Sequence, residues 1–211
     1  MGSEMCIRDR YHSLRIDQNR AMTVRHQLIV SEANGDVPAI LKAQRGPDAH
    51  SRALALGCLQ RLEALEDEIL IGALSDEDRD VRIRAIELAF DRQHISLIDG
   101  LSDGDDLVVE TTCWALGERE APKTETIEAL IATATEHDVS ICREAAIAAL
   151  GAIGHMDGLP AILAGMQDRA PVRRRAVLAL APFDTPEVTN ALEAALTDRD
   201  RQVRQAAEDL M

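Results

Sequence analysis

Val172-Arg173-Arg174-Arg175-Ala176-Val177-Leu178-Ala179-Leu180 decides the fold, because its pattern returns along the chain. Val81-Arg82-Ile83-Arg84-Ala85-Ile86-Glu87-Leu88-Ala89 repeats it, and so do Val203-Arg204-Gln205-Ala206-Ala207 and Cys142-Arg143-Glu144-Ala145-Ala146, the latter running on to Ala149-Leu150-Gly151. A degenerate copy runs from Val108 to Ala115-Leu116-Gly117, and a weaker one from Ala49 through Ala53 to Leu56. With Ala49, Val81, Val108, Cys142, Val172 and Val203 as equivalent anchors, the spacings are 32, 27, 34, 30 and 31 residues. Self-similarity at such a period marks stacked supersecondary units.

Each unit reads as two helices. The first carries apolar residues at helical spacing, as in Ile69/Leu70/Leu74, Ile127/Leu130/Ile131 and Leu159/Ile162/Leu163/Met166. Leu74, Leu101 and Leu196 each stand seven residues before an anchor, so the link is short and constant. It is also acidic (Asp76-Glu77-Asp78, Asp103-Gly104-Asp105-Asp106, Asp198-Arg199-Asp200), which suits the start of the second helix. Small residues four and seven positions after the anchor let helices approach closely. A lone hairpin cannot bury both faces, so neighbours must share one continuous core.

The composition narrows the function. Thirty-seven acidic against 23 basic residues give a net charge of −14, with 46% hydrophobic and 2% aromatic residues. That balance argues against nucleic acid as a principal partner, since phosphate binding relies on clustered Lys and Arg. No run of about 18 apolar residues and no charged-then-apolar leader occurs, so the expectation is a cytoplasmic protein with no membrane partner. Cys6, Cys58, Cys113 and Cys142 form no CxxC pair and read as small core residues.

The Asp-rich link, the Val-Arg pair and the Ala-x-x-Ala-Leu-Gly close resemble the HEAT repeat, in the short form known from phycobilisome bilin lyases. The resemblance implies an all-α fold, a right-handed α-solenoid (superhelix) of about six helical hairpins with second helices lining a concave face. It covers residues 34–211, in units of roughly 34–65, 66–93, 94–120, 121–154, 155–183 and 184–211. Residues 1–33 do not match: 1–20 are expected to be disordered or non-native, Met5 to Arg10 looks like adaptor read-through, and Met22 is a candidate start. At the other end Leu210 and Met211 offer an uncapped apolar surface, a possible point of end-to-end association.

Arg82, Arg143, Arg173 and Arg204, recurring beside the anchor, are expected to reach link carboxylates such as Asp76, Asp103, Asp168 and Asp198. A residue repeated in unit after unit is structural, whereas a catalytic group would be singular. Asp76-Glu77-Asp78-Arg79-Asp80 with Glu87 imitates a calcium loop, but Val81 stands where that loop needs glycine. Di-iron HEAT-like hydroxylases carry His-Glu two and three residues after the anchor. Those slots here hold Ser51/Arg52, Ile83/Arg84, Glu110/Thr111, Glu144/Ala145, Arg174/Arg175 and Gln205/Ala206, so no metal site is expected.

Trp114, the single tryptophan, is the most informative residue. At about 100° per residue the anchor and positions +4, +7 and +8 face the core, and +2, +3, +6 and +10 face away. Trp114 is at +6. Arg84, Glu87, Glu110 and Thr111 are expected around it with Ala145 and Ala148, while Arg174 and Arg175 add a basic cluster that is either a solvated face or a contact for an acidic partner. Either Trp114 fills a gap between repeats, or it anchors a protein or peptide partner. The expected function is accordingly a non-catalytic binding scaffold with no cofactor. Two alternatives stand beside it: a bilin lyase or chromophore-handling subunit, implied by the resemblance, with Arg52, Arg84, Arg174 and Arg175 for the propionates; and a structural piece of a larger solenoid.

Overall fold

The computed structural model describes residues 23–211, and the expectations for residues 1–20, Met5 to Arg10, Cys6 and Met22 lie outside them. The described chain is all helical: α1 (23–33), α2 (Val37–Gln44), α3 (Ala49–Arg61), α4 (Asp67–Ala73), α5 (Arg79–Ala89), α6 (Asp106–Gly117), α7 (Thr124–Glu136), α8 (Ser140–Ile153), α9 (Leu159–Gly165), α10 (Ala170–Ala179), α11 (Pro186–Ala195) and α12 (Arg201–Glu208). It divides into two compact units, one ending at Leu88 and one beginning at Ala89.

In the first unit α2 packs on α3. Asp36 and Asp48 cap these helices through the amides of Ala39 (3.1 Å) and Ser51 (2.8 Å). Ile40, Leu56, Leu59, Leu70 and Val81 are fully buried. Glu32 of α1 holds Arg61 of α3 (Nη2 to Oε2, 2.8 Å), and this guanidinium pulls the Glu32 carboxyl down to about 2.

In the second unit α6, α8, α10 and α12 pack in succession as one layer, with α7, α9 and α11 laid against them. The anchors Val108, Cys142, Val172 and Val203 are buried. The glycines closing α6 and α8 explain why this layer is tight. A Cβ on Gly117 would stand 2.9 Å from Ala149 Cα, and one on Gly151 would stand 2.7 Å from Ala179 Cα. Only a bare backbone admits these crossings. At the last pair Val177, Ala195, Val203, Ala206 and Ala207 form a core cluster against which Leu210 packs; Met211 is exposed.

Two expectations need correcting. The unit anchored at Val108 does not open with an α-helix: Ile98–Ser102 is a single 3₁₀ turn. The 27-residue spacing leaves too little chain, and Gly100 lies so close to Thr112 that a Cβ there would collide with its Oγ1. The second correction is the register of the weakest copy. Ser51, not Ala49, is equivalent to the anchor valines, because Arg52 occupies the place of Arg143 and Arg173 in the hydrogen-bond ladder below.

Candidate functional site

The ladder is one device that recurs along the described residues. Arg52 donates to Asp76 (Nε to Oδ2 2.8 Å, Nη2 to Oδ1 2.7 Å), Arg143 to Asp168 (2.6 and 2.8 Å) and Arg173 to Asp198 (2.8 and 2.8 Å). The remaining nitrogen, Nη1, turns back to carbonyls of the arginine's own link: Gly46 and Pro47, His137 and Asp138, and Asp168 respectively. Arg82 and Arg204 make the same return to the carbonyls of Asp76 and Asp198 at 2.8 and 2.6 Å. The planar fork of arginine matches a carboxylate and a turn carbonyl together, which lysine cannot do. Each aspartate also accepts a backbone amide, Asp76 from Asp78, Asp103 from Asp105, Asp168 from Arg169 and Asp198 from Asp200. The Arg143 and Arg173 guanidinium groups hold the Asp168 and Asp198 carboxyls below the usual range. At Asp76 burial pushes upward, but Arg52 and the Asp78 amide outweigh it. These groups are committed to one another. In a cleft of about 430 Å³ lined by Asp168, Arg173, Asp198 and Arg199, the first three are therefore already spent on the ladder.

A second cleft, also about 430 Å³, is different. It lies between α6 and α8, and its walls are Glu110, Trp114 and Glu118 on one side and Ile141, Glu144, Ala145, Ala148 and Ala152 on the other, with Arg175 beyond. Trp114 is 46% exposed and Ile141 45%, large values for apolar groups facing a concavity. The alanines of α8 leave the room. Phe90 packs edge-tilted on Trp114, ring centroids 5.6 Å apart. Its segment is tied down by Arg119, which donates to the carbonyls of Phe90 (3.1 Å), Ala89 (3.1 Å) and Ile95 (2.9 Å). Phe90, Arg119 and Ile141 escape a sequence reading because nothing in the repeat pattern marks them; Ile141 lines the cleft, Phe90 packs on Trp114, and Arg119 holds the Phe90 carbonyl.

The other candidates are placed as follows. Arg84 and Glu87 belong to the first unit and pair with each other at 2.9 Å. Thr111 hydrogen-bonds its own helix at Leu107 O (2.7 Å). Arg174 is exposed, and Arg175 reaches Glu144 at 3.5 Å. Burial pushes the thiols up, Cys58 and Cys142 to about 11 and Cys113 to about 12, which disfavours the thiolate at neutral pH. Asp106, His137 and Cys142 offer ligand atoms within 4.8 Å of one another. Within this group the thiol donates to Asp106 Oδ1 (3.8 Å), and His137 Nδ1 accepts the amide of Val139 (3.1 Å).

The family model for HEAT repeats matches residues 95–181 and 142–211, together more than half of the chain. The chain belongs to the HEAT-repeat family. No curated protein matches it at a significant level. Among solved structures it is similar to a designed armadillo repeat protein (TM-score 0.51, 16% identity, 82% of this chain and 97% of that one). It is also similar to a designed armadillo repeat protein in complex with peptide (KR)4 (TM-score 0.58, 17% identity, 82% and 96%). An engineered protein is similar as well (TM-score 0.56, 18% identity, 82% and 94%). At these identities the likeness is one of fold: an all-α helical-repeat solenoid. No helix among the described residues is long and apolar enough to cross a membrane.

Proposed function

We propose that this HEAT-repeat chain is a non-catalytic binding module whose site for a protein or peptide partner is the cleft between α6 and α8. The observation that carries this reading is Trp114: a half-exposed indole, braced by Phe90 and facing an alanine-floored cavity rather than closing it. Covering the exposed parts of Trp114 and Ile141 releases roughly 4 kcal/mol at about 25 cal/mol per Å². Association costs consume much of that, so the site suits a partner that brings further contacts. A designed relative of the same fold holds a peptide, which supports the reading without naming the partner. The test is affinity capture from lysate with wild type and Trp114→Ala, both verified as folded by circular dichroism. A partner kept by wild type and lost by the variant supports the proposal. Identical captures would show that Trp114 only packs between repeats.

A further inference from the structure

Resting on that reading, we propose that the cleft takes a basic peptide segment, laying an arginine side chain on Trp114 between Glu110 and Glu118. These three residues are spaced four apart, so they form one stripe along α6, with a carboxylate about one helical turn, about 6 Å along the axis, to either side of the indole. Glu110 and Glu118 form no ion pair among the described residues. Across the cleft, Glu144 shares its charge with Arg175 over a loose 3.5 Å, and among the described residues Arg175 is the single cation lining it. The other nearby cation, Arg119, is spent on backbone carbonyls. The stripe also runs to the C-terminal end of α6, whose carbonyl-rich end favours positive charge.

An unpaired carboxylate on each side of an exposed aromatic face is a receptor for a flat, delocalised cation. Guanidinium stacks on indole and spends its edge N–H groups on the two carboxylates. Ammonium, a compact and strongly hydrated charge, uses the same site less well. Ala145, Ala148 and Ile141 receive the methylene stem and its neighbours, and the net charge of −14 draws a basic segment toward the chain.

Three N-acetylated octapeptides test this: (Ser-Arg)4, (Ser-Lys)4 and the citrulline version, which keeps the shape and loses the charge. Trp114 is the chain's single tryptophan, so its emission reports occupancy, with calorimetry as a second readout. The expected result is that the arginine peptide binds and shifts the emission, lysine binds about fivefold more weakly, and citrulline shows no binding. Glu110→Gln/Glu118→Gln should weaken the arginine peptide at least fivefold, and the charge-matched Glu193→Gln/Glu208→Gln less than twofold. Equal losses in both variants would mean attraction to overall charge and would overturn the inference. Citrulline binding as well as arginine would overturn it too, while leaving a peptide cleft at Trp114 intact. No binding of any peptide also overturns it, and the Trp114→Ala capture then decides the broader reading separately.

Discussion

Asp198→Ala leaves the Arg173 guanidinium, only 6% exposed at its side chain, with Nε and Nη2 facing the space that the carboxylate filled. A buried charge stripped of its partner costs about 3–4 kcal/mol. The reverse change is milder. Arg173→Met keeps the apolar stem, and Asp198 still accepts the Asp200 amide (2.7 Å) and is 17% exposed, so water reaches it. That variant should lose about 1–2 kcal/mol. In the double variant no charge is stranded, so its cost should fall at or below that of Asp198→Ala alone, a coupling of about 1–2 kcal/mol. For a chain of 211 residues each kcal/mol moves the melting midpoint by about 2–4 °C, which predicts a drop of roughly 6–15 °C for Asp198→Ala. Urea unfolding with calorimetry on the four proteins measures the cycle. Costs that simply add, or an arginine variant worse than the aspartate variant, would refute the view of the ladder as a buried charge held by one carboxylate.

Other consequences are as direct. Asp168 and Asp198 have folded pKa values below their unfolded ones, so their contribution is complete above about pH 4 and lost as pH falls through the folded values. Asp198→Asn should therefore flatten the stability profile below pH 4 and leave its slope between pH 5 and 7 unchanged in a pH series of urea midpoints. Gly151→Ala places a methyl 2.6 Å from Ala179 Cβ and should cost about 1–3 kcal/mol, whereas Gly72→Ala, in a helix with open space around it, should gain up to about 1 kcal/mol. Equal melting points for the two would contradict the tight α8–α10 crossing. Cys58, Cys113 and Cys142 should resist Ellman's reagent at pH 8 in a Cys6→Ser background and react only in denaturant. Rapid native labelling would contradict their burial.

The repeat, its helical pairs and the recurrence of Arg143 and Arg173 beside a buried anchor were legible in one dimension, because each is a local pattern written several times over. Recurrence averages out noise, and helical periodicity ties a residue's position in the sequence to the face it occupies. The same logic fails wherever a feature occurs once. Ser51 is polar, so hydrophobic patterning passes over it as an anchor, and only the bond from Arg52 to Asp76 reveals the register. Ile98–Ser102 carries apolar residues at the expected offsets, yet the shortened repeat and the contact between Gly100 and Thr112 leave it one 3₁₀ turn. Trp114 could be placed on the outward face from its spacing alone, with Ala145 and Ala148 from the next unit beside it. That Phe90 braces it, that Arg119 holds Phe90 in place, and that among the described residues Glu110 and Glu118 form no ion pair while Glu144 does, depend on the distances between helices. Periodicity specifies which way a side chain points; packing decides what it meets there.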